Sequence, residues 1–76
     1  MNGHKLEKAR EKAGMSREAL ARETNVSSSL IYQYERGEIN PSYVNVRNIA
    51  LALAKVTNQT FNTVLSELDP LVPKAA

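Results

Sequence analysis

Ser28, Ser29, Tyr32 and Gln33 are the side chains in this sequence whose types and spacing suit one chemistry. Hydroxyls, a phenol and an amide donate and accept hydrogen bonds without being charged at neutral pH. If Ser28 to Arg36 is helical, all four fall on one face, with Val26 and Ile31 spaced to anchor the other. A merely solvated helix more often carries Lys and Glu. Small neutral donors and acceptors on a rigid face instead suit the polar edges of nucleic-acid bases and the oxygens of phosphates. Arg17 is a second candidate. At the start of a short helix its donor fork lies where free backbone N–H groups also point, so the two together suit an anion, with a plainly solvated arginine as the equal alternative.

Enzymatic chemistry finds no footing. No nucleophile and base, phosphate loop or metal-ligand set stands at a usable spacing, and His4 is the single histidine. The absence of cysteine excludes disulfides and thiolate metal sites and fits a reducing compartment. No catalytic residue, metal, cofactor or small-molecule ligand is therefore expected.

Five helices are predicted to position these groups, giving an all-α domain over residues 1–69 and a short tail over 70–76. Leu6, Ala9, Arg10 and Ala13 recur at helical spacing, so a first helix spans His4 to Lys12 and ends near Gly14. Its inward stripe includes Arg10, a cation that needs an outward path or a partner. Ser16 caps a second helix, Arg17 to Thr24, and Asn25 makes the turn because it tolerates positive φ. Ser27 caps the third, Gly37 suits the left-handed residue after it, and Pro41 ends the loop that follows. Ser42 caps a fourth helix, Tyr43 to Val56, with Val46, Ile49, Ala50 and Leu53 inward and Leu51 outward. Thr60 caps a last helix to Leu68, closed by Asp69-Pro70.

At 76 residues the chain makes one domain whose core is small, so tight helix packing or dimerisation must add stability. Ten Lys and Arg against eight Asp and Glu leave a net charge of +2, too little to identify a nucleic-acid partner. The basic residues gather in the first half, interleaved with glutamates, and the plain reading is helix faces laced with pairs such as Glu18 and Arg22. No run approaches the roughly 20 apolar residues that span a bilayer, and the amino end lacks a signal-peptide core. A cytoplasmic protein with no membrane partner is expected.

The residues then carry a resemblance. Leu6, Ala9-Arg10, Gly14-Met15-Ser16, Glu18, Leu20-Ala21, Val26-Ser27, Ile31, Tyr34-Glu35-Arg36-Gly37, Asn40-Pro41-Ser42, Val46, Ile49-Ala50, Leu53 and Val64-Leu65 together resemble the lambda-repressor-like regulators, which include phage repressors, Cro proteins and many bacterial regulators. The piece Y-E-R-G-x-x-x-P-S following S-x-E-x-L-A is its most specific part. The resemblance implies a compact five-helix DNA-binding domain with its helix-turn-helix at helices two and three, and helix three in the major groove of double-stranded DNA. Ser28, Ser29 and Gln33 would read bases, with Tyr32 beside them. Arg17, Ser27, Asn40 and Tyr43 are expected at phosphates. Arg10 and Glu35 match positions that form a salt bridge in some relatives.

The sequence departs from the family pattern at Arg17, where glutamine is most common, and at Ala19, Thr24, Asn25 and Leu30. Leu30 is free either to pack inward or to meet a thymine methyl. Helix four is about a turn longer than usual. The function expected is a homodimeric repressor on an inverted-repeat operator. Leu51, Phe61, Val64, Leu68, Leu71 and Val72 are the candidates for its dimer surface, with core packing against helix one as the rival for that last-helix stripe. The alternative function is a DNA-binding antitoxin that occludes a toxin.

Overall fold

In the computed structural model, residues 3–68 are described. They form α1 (Gly3–Lys12), α2 (Arg17–Thr24), α3 (Ser28–Glu35), α4 (Tyr43–Thr57) and α5 (Phe61–Leu68). Each start after α1 is set by a hydroxyl that accepts from the backbone N–H three residues on. Ser16 accepts from Ala19, Ser27 from Leu30, Ser42 from Asn45 and Thr60 from Thr63. These caps satisfy donors that the first turn leaves free. The stops are equally local. Asn25 and Asn58 both take φ 58°, and Gly14 and Gly37 take 71° and 75°.

α1 packs on α3 and α5, α2 on α3 and α4, and α4 on α5. The side chains that close this arrangement are Leu6, Leu20, Ile31, Ile49, Leu53, Val64 and Leu68. Leu30 is half-buried against that core, which settles its direction as inward. Thr24 is buried, and its hydroxyl donates to the Leu20 carbonyl at 2.7 Å, which offsets the cost of taking the polar group out of water. Gly3 marks a close contact between α1 and α3. A Cβ there would overlap the Tyr34 carbonyl oxygen and stand 2.5 Å from that of Glu35, so α1 starts directly against the backbone at the end of α3.

Two of the residues expected on a dimer surface are corrected here. Val64 and Leu68 are 2% and 0% exposed and belong to the core, because the amphipathic stripe of α5 turns onto α1 and α4. They offer nothing to a second copy. Phe61 is half-buried against the same cluster, and Leu51 is 48% exposed. Leu71, Val72, the Asp69-Pro70 close and the tail over 70–76 lie outside the described residues.

The observed helix ends shift by a residue. α3 stops at Glu35 rather than Arg36, where the Arg36 N–H donates to the Tyr32 carbonyl at 3.0 Å and the Gly37 N–H to the Tyr34 carbonyl at 3.1 Å. α4 runs on to Thr57, where the Thr57 hydroxyl donates to the Leu53 carbonyl at 2.7 Å.

Candidate nucleic-acid interface

The left-handed Asn25 ends α2 by donating its N–H to the Ala21 carbonyl, and two residues later the Ser27 cap starts α3. This short turn fixes the angle between the two helices. α3 then buries Ile31, Tyr34 and Glu35 and turns the opposite face out. On that face Ser29 and Tyr32 are exposed, while Ser28 and Gln33 are half-buried. All four line one groove of about 460 Å³, together with Arg17 and Glu18 from α2 and Glu38 from the loop after α3. The base-reading candidates and Arg17 are thus brought together. Asn40 and Tyr43 are exposed beyond this lining, in the loop and at the start of α4, and the Ser27 oxygen serves as the cap of α3.

Behind the groove stands an ion cluster. Arg10 Nε donates to Glu35 Oε2 at 2.6 Å, a second Arg10 nitrogen reaches Oε1 at 3.4 Å, and a third donates to the Met15 carbonyl at 2.9 Å. The two side chains are 10% and 2% exposed, so the bridge between α1 and α3 is buried. Its partners are fully engaged, which is the condition under which buried charge is tolerated. The hydrogen bond that Arg10 donates to Glu35 holds the Arg10 pKa above the already high value of a guanidinium, against the downward pull of burial. α3 is fixed to α4 as well, through Asn45 Nδ2 donating to the buried Tyr34 phenol oxygen at 2.9 Å.

Arg17 occupies a place that spacing alone does not reveal. Its Nε donates to Glu35 Oε1 at 3.0 Å, and its guanidinium carbon lies 4.8 Å from the centre of the Tyr32 ring. Arg36 lies 5.6 Å from the same ring, donates to the Tyr32 oxygen at 3.4 Å, and is paired with Glu38 at 3.1 Å. That Glu38 bond, with Tyr32 second, raises the Arg36 pKa. The expected Glu18–Arg22 pair does not form, and Glu18 stays an exposed carboxylate on the groove. Glu18 and Glu38 in the lining were not among the site candidates, and the signal that could have found them is their sequence proximity to Arg17 and Arg36.

A helix-turn-helix family model matches residues 6–57, which include all of α2, the Asn25 turn and α3. The chain belongs to the lambda-repressor-like helix-turn-helix family. The five α-helices of the described residues are the all-α fold of that family, with the helix-turn-helix at α2 and α3. The lambda-repressor-like chain is by that membership a DNA-binding domain of the kind found in regulators. A comparison with curated proteins gives no match. Among the described residues no helix is long and apolar enough to cross a membrane, and no three His, Cys, Asp or Glu side chains converge as a metal site would require.

Proposed function

We propose that the protein is a sequence-specific transcriptional regulator, a repressor of the phage or bacterial type, that binds an inverted-repeat operator as a homodimer through α3 in the major groove. The observation that carries this reading is the groove beside α3: neutral donors and acceptors are turned outward from a helix whose inner face is held by a buried ion pair and a buried tyrosine. A side chain reads a base edge only if it arrives in a fixed register, and rigid backing supplies that register.

In this reading Gln33 pairs with the N6 and N7 of an adenine, and Ser28 and Ser29 donate to or accept from neighbouring base edges. Arg17 offers its outer nitrogens to a phosphate while its Nε stays on Glu35. Ser27, Asn40 and Tyr43 contact the backbone on either side of α3. A two-fold dimer places two such helices about 34–36 Å apart in successive major grooves. Leu51 is the surface residue on α4 that supports the pairing of copies, with Val44 two turns earlier at 54% exposure on the same side. The protein is expected in the cytoplasm, where its DNA is.

Selection from a random duplex library tests the reading. The expected result is an enriched inverted repeat, with affinity falling steeply as salt rises because phosphate contacts release counterions. Gln33→Ala should relax one base position in each half-site by about 1–3 kcal/mol of discrimination. A library that returns no enriched sequence at low salt would refute it.

A further inference from the structure

The Tyr32 ring is 42% exposed on the reading face, yet it is not loose. Two guanidinium groups lie over it, Arg17 at 4.8 Å and Arg36 at 5.6 Å, within the range at which a cation is attracted to a ring face. Arg17 is itself tied down. Its Nε bonds Glu35, whose carboxylate is 2% exposed and is pinned from the other side by Arg10. A run of contacts therefore leads from the core, through Glu35 and Arg17, to the face of an exposed tyrosine. Tyr43 makes the contrast. It is 59% exposed, and among the described residues no cation lies over its ring.

We propose that Arg17 is a positioning residue, which Glu35 tethers from the core so that its guanidinium plane fixes the Tyr32 ring in the orientation from which α3 reads a base. The inference rests on the DNA-binding reading above and deepens it by adding a specificity element to the same face. An exposed tyrosine that had to be ordered on binding would lose rotamer freedom at that moment, whereas one already held does not. The role also fits the residue type. Lysine would serve a phosphate clamp as a point charge, but only arginine offers a plane to stack and a fork that bonds Glu35 through Nε at 3.0 Å while a second nitrogen stands 3.9 Å from the Glu7 carboxylate.

Arg17→Lys separates the two roles because it keeps the charge and removes the plane. In a library selection, the preference at one base position should fall about two- to five-fold, the worth of an exposed cation–ring contact, while the salt slope and the other positions hold. Arg36→Ala, on the exposed side of the ring, should weaken preference at that same position. In a Tyr32→Ala background, Arg17→Lys should add nothing, since coupled residues are not additive. An unchanged profile in Arg17→Lys overturns the proposal, and so does a uniform loss at every position. Independently of DNA, the Tyr32 aromatic resonances of the free protein should move in Arg17→Lys while those of Tyr43 stay. Unmoved Tyr32 resonances overturn the tether even where operator binding is normal. A wild-type protein that enriches no sequence removes the DNA reading instead, and the resonances still decide the tether.

Discussion

Glu35 is the residue on which the most charge converges, since it accepts from both Arg10 and Arg17. Glu35→Ala leaves Arg10 desolvated with one carbonyl partner at Met15, and removing one member of a buried pair costs on the order of 3–5 kcal/mol. Glu38→Ala removes an exposed pair and should leave the midpoint of denaturant unfolding nearly unchanged. The two midpoints measured side by side check this, and equal values would show that the bridge contributes no stability. The raised Arg10 pKa gives a sign for pH. A cation favoured by folding contributes fully below its unfolded pKa and loses that contribution only as pH climbs through the folded one, which for a guanidinium lies in strong alkali. The Arg10 side of the bridge is therefore insensitive to pH across the neutral range. At this scale the sequence announced the face, because Ser28, Ser29, Tyr32 and Gln33 differ in type from a solvated helix, and the family resemblance supplied Arg10 with Glu35. It concealed the reach of Arg17. A side chain 18 positions from its carboxylate meets it only through the packing of α2 on α3, and no period encodes that.

The helices themselves were the most legible part, and for local reasons. A serine before each of α2, α3 and α4 and an asparagine after α2 state the ends in residue types whose side chains or backbones do the ending. The Asn25 turn can be tested directly. Asn25→Ala places a Cβ residue without a compensating amide at φ 58° and should lower stability by about 1–2 kcal/mol, whereas Asn25→Gly should cost little. Thermal melts of the two variants would show it, and matching melts would mean the turn is unstrained. Less legible was the approach of α1 to α3, since a glycine near a helix start looks like simple fraying until its neighbours are known. Gly3→Ala forces the Tyr34 and Glu35 carbonyls to shift and should destabilise by about 1–3 kcal/mol, as overpacking does. The inward turn of α5 was equally hidden, because an apolar stripe over Val64 and Leu68 has the same period whether it meets its own core or a second copy.

At the scale of the molecule, the net charge of +2 is small, and in the groove Arg17 stands with Glu18 while Glu38 is paired with Arg36, so the general attraction for phosphate is modest and comes from a few discrete contacts. Non-specific binding should accordingly be weak, and selectivity should rest on the register of α3 more than on charge. Association of two copies is the other property that belongs here. With Val64 and Leu68 committed inward, the exposed α4 side chains carry the expectation of a dimer. Leu51→Glu should therefore keep stability within about 0.5 kcal/mol of wild type, as surface changes do, yet shift the mass on operator DNA towards one copy. Light scattering across dilution measures it, and an unchanged mass would move the interface elsewhere.

α3 divides its side chains between those that hold it to the core and those turned outward. Ile31, Tyr34 and Glu35 face the core and its ion pair, while Ser28, Ser29 and Gln33 form no side-chain hydrogen bond or ion pair within the described residues. On the proposed function the helix would act as an interchangeable cassette, its outer letters open to rewriting for another operator without disturbing the frame that carries them.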